Sequence, residues 1–220
     1  MKSRYIAVVL SLFARLAVGS EAQMPDAVAG IAHRWATINY QTPEKDRENA
    51  FKTLASQAEQ LVKNSPGKAE PMVWQAIVLA SYAKVEGGLG ALSKARQARD
   101  LLLAAEQIDP NTLNGSIYTS LGSLYARVPG WPIGFGDTDK ARTYLETALK
   151  INPNGMDAHH FYGEFLNAQG EYAKAIDHLN QALAAPPRLG REDADAGRRK
   201  EIEALIAEIR TKHGDRLASK

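Results

Sequence analysis

The sequence predicts an all-α protein, a right-handed α-solenoid of about four antiparallel helix pairs closed by a C-terminal capping helix. Three observations support this prediction. Two alanines and a proline at positions 141, 148 and 153 recur 34 residues later as Ala175, Ala182 and Pro187. Apolar residues recur with the helical period, and glycine or proline marks the end of each apolar segment.

Residues 1–22 are expected to form a secretory signal peptide. Basic residues precede an apolar run over 5–18, and residues 20–22 fit a small-x-small cleavage site. Arg15 interrupts the apolar run, which argues against a membrane anchor and leaves a buried N-terminal helix as the alternative. The mature protein is therefore expected in the periplasm or outside the cell, without a membrane span.

Composition excludes several classes of function. The chain has no cysteine, so disulfides, thiolate metal sites and cysteine nucleophiles are absent. Removal of residues 1–22 leaves 24 of the 27 basic and 24 of the 25 acidic residues, and hence no net charge. No nucleic-acid partner is expected, because the cluster Arg198, Arg199 and Lys200 precedes acidic residues and is interpreted as a solvated helix face with internal ion pairs.

Two helix pairs are predicted in the first half of the chain. The first spans 26–40 and 44–64, with Pro43 between the helices. The second begins at Pro71, has an apolar face around Trp74 and Tyr82, and continues into a helix that contains Ala98, Leu102 and Ala105.

Two further pairs follow. The third begins near Asn114, and its second helix starts at Asp137 or Thr138, either of which can cap the free amides of the first turn. The fourth spans 156–187. Its small residues Gly163 and Ala175 are expected where the two helices cross, and Gly170 is expected in the left-handed conformation that ends the first helix.

The C-terminal region differs from the pairs. Residues 188–196 are polar and have no apolar period, so they are interpreted as a linker. Ile202, Leu205, Ile206 and Ile209 then form one stripe of a helix, as a capping helix requires. The predicted organisation is a signal peptide over 1–22, helical repeats over 23–187, and a linker with a capping helix over 188–220.

The fourth pair resembles a tetratricopeptide repeat (TPR), whose pattern is W-x2-L-G-x2-Y followed by A-x3-F, A and P. The matching residues are His159, Tyr162, Gly163, Leu166, Ala175, Leu179, Ala182 and Pro187. His159 replaces the tryptophan and Leu166 the tyrosine of the pattern. Compared with the family spacing, two pairs have extra residues between their helices, around 87–90 and at 128–137. Both insertions are expected to be loops that lie next to each other.

The resemblance implies a concave groove that binds a protein or peptide partner, lined by fixed positions of each first helix. The corresponding residues are Met72, Gln75, Leu79, Tyr82, Ser116, Thr119, Ser123, Arg127, Asp157, His160, Glu164 and Asn167. This surface changes from apolar to acidic along the chain. It lacks the rows of basic residues that some family members use to hold a terminal carboxylate.

The insertion at 128–137 contains Trp131 and Phe135, which either wall a pocket for a small molecule or fold back onto the helix ends. Its glycine and proline content, together with the expected export, also resembles the periplasmic T component of tripartite ATP-independent (TRAP) transporters. The alternative function is therefore that of a ligand-binding or transporter-associated component.

The histidines raise a third alternative, a metal-dependent hydrolase that uses His160, Glu164 and His178. The ligand set is incomplete, since His159 is expected to pack inward and His178 to lie on the surface. We therefore expect no enzyme activity, metal or cofactor. The favoured interpretation is an exported, non-enzymatic scaffold for a protein or peptide partner in the cell envelope.

Overall fold

The computed structural model describes residues 24–218 of the chain. The predicted signal peptide, residues 1–22, lies outside this range. The described residues form nine helices and no β-strand, apart from one isolated bridge between Gly130 and Gly136. The helices are α1 Asp26–Tyr40, α2 Glu44–Lys63, α3 Ala69–Glu86, α4 Gly88–Ile108, α5 Ser116–Arg127, α6 Thr138–Ile151, α7 Met156–Ala168, α8 Tyr172–Ala184 and α9 Glu192–Ala218.

The first eight helices form four antiparallel pairs stacked into an all-α helical-repeat solenoid, as predicted. Small residues allow the close crossings. A Cβ atom on Gly163 would lie 2.8 Å from Leu179 Cγ, and one on Gly122 would lie 2.5 Å from Leu145 Cγ. Both leucines are fully buried. Since the same glycine–leucine contact occurs in two successive pairs, the structure repeats as the sequence does.

The predicted helix boundaries are confirmed at the third and fourth pairs. The side chain of Asp137 accepts hydrogen bonds from the backbone N–H groups of Asp139 and Lys140, so it caps the first turn of α6. Gly170 has a φ of +77° just after α7, a conformation that residues with a Cβ atom rarely adopt.

The prediction of a loop around 87–90 is wrong. Gly87 alone separates α3 from α4, and these two helices have 18 and 21 residues. Gly87 and Gly88 both have positive φ angles, so the chain reverses within two residues and the extra residues lengthen the helices. The 128–137 insertion is irregular as predicted. It packs on α4, where Arg96 donates to the Ile133 carbonyl at 3.3 Å.

The prediction of a linker over 188–196 is also wrong, because α9 already begins at Glu192. Its later part carries the predicted apolar stripe, and Ile202 and Ile209 are buried against the main core. Its earlier part reaches a second core formed by α1, α2 and α3, in which Ala194 is buried. None of the helices between residues 24 and 218 is both long and apolar enough to span a membrane.

Candidate functional site

The first helices of the pairs form one face of the solenoid, since α1 contacts α3, α3 contacts α5 and α5 contacts α7. The family resemblance predicts the concave groove on this face. Residues 186–201, which we call the strap, leave α8, enter this face beside α7 and continue to α1. The strap includes the first part of α9. The protein's own chain therefore occupies part of the predicted groove.

Asp157 on α7 is the main attachment point of the strap. Its Oδ1 atom accepts a hydrogen bond of 2.8 Å from Arg198 Nε, and its Oδ2 atom accepts one of 2.6 Å from Arg188 Nη1. Arg188 also donates from Nε to Asp195 Oδ1 at 2.7 Å. The Arg198 side chain is only 9% exposed, so the strap brings a buried guanidinium onto a groove carboxylate. The interpretation of Arg198 as part of a solvated face is wrong.

The charges of this cluster compensate for burial. Burial alone would raise the pKa of Asp157, but the guanidinium groups of Arg188, Arg198 and Arg191 outweigh this effect and hold it well below the usual range. Asp157 is therefore ionised at neutral pH. The charged hydrogen bonds stabilise the strap only while both arginines face this carboxylate.

The strap ends against α1. A Cβ atom on Gly197 would lie 2.2 Å from Cγ of the Tyr40 ring, so only glycine allows this approach. The Tyr40 hydroxyl donates to Glu201 Oε2 at 3.2 Å. Burial raises the pKa of Tyr40, which keeps this donor protonated. The guanidinium of Arg191 lies 4.9 Å from the Trp74 ring centroid on α3. The first and last helices are thus in direct contact.

Beside Asp157, aromatic and charged groups of α5 and α7 extend the site. Arg127 forms an ion pair with Glu164. The Phe161 ring lies between two guanidinium groups, 5.3 Å from that of Arg127 and 4.9 Å from that of Arg198. His160 is 2% exposed, and burial together with the charge of Arg198 lowers its pKa to about 3. This end of the groove is a set of carboxylates and a ring that bind guanidinium groups.

The other predicted groove residues are less uniform in their exposure. Leu79, Tyr82 and Thr119 are 7%, 8% and 6% exposed, so they belong to the packed interior and not to an open surface. The half-buried positions are Met72, Gln75, Ser116, Ser123 and Asn167. Arg127, His160 and Glu164 lie next to each other, since Glu164 forms an ion pair with Arg127 and lies 3.8 Å from His160 Nε2.

The insertion at 128–137 does not form the expected pocket wall. Trp131 is 90% exposed, so it neither lines a cavity nor folds back onto the helix ends. Phe135 does fold back, because its ring packs edge-to-face on Tyr125 with the centroids 5.3 Å apart. Arg99 of α4 covers the same ring.

The histidines do not meet as a metal site. His159 packs inward as predicted, whereas His178 is half-buried and not on the surface, because its Nδ1 atom lies 2.9 Å from Nδ1 of His159. His159 Nε2 donates to the Pro153 carbonyl, so His178 must donate in the histidine pair. The His178 ring therefore pairs with His159. Between residues 24 and 218, no three His, Cys, Asp or Glu residues are placed to hold a metal ion.

Sequence reasoning missed the residues that fill the groove, above all Arg188, Arg198 and Asp195. One signal was present. Gly197 lies inside a charged helical segment, and an isolated glycine in a helix often marks a close contact. Arg199, which was assigned to the solvated face, donates to the carbonyls of Leu183 and Ala185 and so satisfies the C-terminal end of α8.

A comparison with protein families finds a match in the second half of the chain. The tetratricopeptide repeat family model matches residues 133–189, which contain α6, α7 and α8. The chain therefore contains a tetratricopeptide repeat over these residues. No curated protein sequence matches it at a significant level.

One solved structure shows the same fold over most of the chain. A thermophilic TPR protein of Thermus thermophilus has 17% identity and a TM-score of 0.60, with 85% of this chain and 81% of that chain covered. MamA has 18% identity and a TM-score of 0.41 over 80% of this chain and 98% of its own. PilF of Pseudomonas aeruginosa has 14% identity and a TM-score of 0.35, with 86% of this chain and 93% of that chain covered. The resemblance to the T component of TRAP transporters is not confirmed.

Proposed function

We propose that the protein is an exported, non-enzymatic TPR scaffold that binds a segment of another envelope protein in its concave groove. The observation that supports this proposal is the occupied state of the groove: a peptide segment, the strap, already lies there through charged hydrogen bonds to Asp157. The TPR fold is in general a protein-interaction scaffold. Because Trp131 faces solvent, the alternative of a small-molecule pocket has no wall at that position.

Export is tested by fractionating the cells and sequencing the N-terminus of the mature protein. Cleavage after Ala22 would give a chain that starts at Gln23 in the envelope fraction. A chain that retains residues 1–22 in the cytoplasmic fraction would contradict the export proposal.

Partner binding is tested by affinity capture from the envelope fraction with a matched pair of variants. Ser123→Lys places a charge at a half-buried groove position of α5, and Thr143→Lys places the same charge on the exposed side of α6. We expect Ser123→Lys to lose the captured protein and Thr143→Lys to retain it. Equal capture by both variants, with a partner present, would show that the groove is not the binding surface.

A further inference from the structure

The strap is held mainly by charge. Its largest apolar side chain, Leu189, is 89% exposed, and the residues it buries near α1 are the small Ala194 and Gly197. The later part of α9, in contrast, buries Ile202, Ile206 and Ile209 against the repeats. Segments with few buried apolar contacts open at lower free energy than the core does. The strap is therefore expected to open at lower free energy than the capping part of α9, by unwinding of the first turns of this continuous helix.

The connection to α8 suits such a movement. Residues 185–191 form no regular helix between α8 and α9. Backbone contacts in this segment are few, and the Arg188 N–H is bound by the Asp195 side chain, which belongs to the strap itself. Detachment would thus break the side-chain bonds to Asp157, the contacts with α1 and α3, and the Arg199 bonds to the end of α8, but not the packing within the α7–α8 pair.

We propose that the strap is a displaceable latch, which occupies in cis a guanidinium site that an arginine-bearing segment of the partner occupies in trans. This inference rests on the proposed function and names the chemistry of its partner. The latch would keep the groove closed until a segment with competing arginines is present.

Arginine fits this site better than lysine. Asp157 offers both oxygens to guanidinium nitrogens, at 2.6 and 2.8 Å, and the Phe161 ring lies 4.9 Å from the Arg198 guanidinium. A planar guanidinium can donate in a fork and stack on a ring at the same time, whereas an ammonium group acts as a point charge. Glu164 adds negative charge beside the ring. The partner segment should therefore carry arginine at both contact positions.

The absence of cysteine from the sequence allows a direct test on the full-length mature chain. A cysteine is introduced at Ala194, a residue of the strap that is 2% exposed, or at Ala98, which is fully buried in α4. The rate of thiol modification then reports local opening at each position. If the strap opens by itself, we expect Ala194→Cys to react at least about tenfold faster than Ala98→Cys. Equal rates would show that the strap opens only with global unfolding and would overturn the latch.

The partner chemistry is tested by adding a peptide that copies residues 186–201. A tethered segment has an effective concentration in the millimolar range, so the peptide is used at or above that concentration. It should raise the rate at Ala194→Cys severalfold and leave Ala98→Cys unchanged. The same peptide with Arg188→Lys and Arg198→Lys should act more weakly, and with Arg188→Gln and Arg198→Gln not at all.

Two results would contradict the guanidinium site. One is an arginine peptide without effect on Ala194→Cys, and the other is equal acceleration by the glutamine peptide. In a chain with Asp157→Asn, the rate at Ala194→Cys should no longer depend on the peptide. These rates require no natural partner. The latch can therefore fail while the Ser123→Lys capture experiment still supports the groove, and the reverse outcome is equally visible.

Discussion

The fourth helix pair, α7 and α8, and the strap that follows it are neighbours in the chain but are held by different interactions. In the pair, Gly163 packs against the buried Leu179. In the strap, Arg188 and Arg198 reach a single carboxylate, Asp157, while Leu189 faces solvent. Apolar packing between close neighbours fixes the repeat, and charge between distant residues fixes the strap. The two regions should therefore respond differently to mutation, salt and pH.

Truncation of a leucine should show the largest difference between the regions. Leu179 is fully buried and Leu189 is 89% exposed. We expect Leu179→Ala to lower the free energy of unfolding by about 3 kcal/mol, because it leaves a cavity. Leu189→Ala should change it by less than about 0.5 kcal/mol. Urea titration followed by circular dichroism measures the free energy of unfolding of both variants. Similar losses of stability in the two variants would contradict the difference between the repeat and the strap.

Loss of the groove carboxylate should weaken the strap through charge. Asp157→Asn leaves Arg188 and Arg198 facing a neutral side chain, and since the Asp157 side chain is 30% exposed, we expect a loss of about 2 kcal/mol. High salt should reduce the difference from the unmodified protein. The control is Glu59→Gln, which breaks an exposed pair with Lys63 and should have little effect. A loss that is independent of salt would argue for packing instead of charge.

The boundary between the two regions should be sensitive to pH through His160. Its folded pKa of about 3 lies below the ordinary value of 6.5, so the unfolded chain binds more protons between these values. Stability should therefore fall as the pH falls below about 6.5, by up to about 1.4 kcal/mol per pH unit. The lowered pKa of His178 acts in the same direction.

The measurement is urea unfolding at several pH values from neutral to about pH 5, where most carboxylates remain ionised. His160→Gln should flatten the slope. An unaltered slope in His160→Gln would assign the pH dependence to other groups.

The smallest effect is expected from backbone conformation within the repeat. Gly170 has a φ of +77°, whereas Gly30 lies inside α1, where a Cβ atom would have no neighbouring atom within 4 Å. Gly170→Ala should cost about 1 kcal/mol. Gly30→Ala should stabilise by up to about 1 kcal/mol, since alanine is the better helix former. Thermal unfolding of the two variants measures the two effects. Destabilisation by Gly30→Ala as well as by Gly170→Ala would show that Gly30 has an additional role.

The repeat could be predicted from the sequence because its determinants are close together. Gly163, Ala175 and Leu179 lie within one unit, and their spacing is enough to place both helices. The acidic end of the groove, at Asp157 and Glu164, stays a prediction from the family resemblance. The boundaries of the fourth pair are accordingly those expected.

The strap could not be predicted in this way. Arg198 and Asp157 are 41 residues apart, and Tyr40 and Glu201 are 161 apart. The charged side chains of a segment without an apolar period can be solvated by water or paired with any oppositely charged group. The sequence of the segment alone therefore does not identify its partner. The prediction of a loop at 87–90 was wrong for a related reason. The spacing shows that residues are added relative to the family pattern, but it does not show whether they form a loop or lengthen the helices. No feature of the sequence pattern indicated that the Trp131 side chain would be exposed.

The most direct test of the occupied groove is a double-mutant cycle between Asp157 and Arg198. The free energy of unfolding is measured for the unmodified chain, for Asp157→Asn, for Arg198→Gln and for the double variant. If the strap lies in the groove, the two changes should be non-additive, with a coupling free energy of about 2 kcal/mol. Additivity within about 0.5 kcal/mol would contradict the contact and, with it, the closed groove.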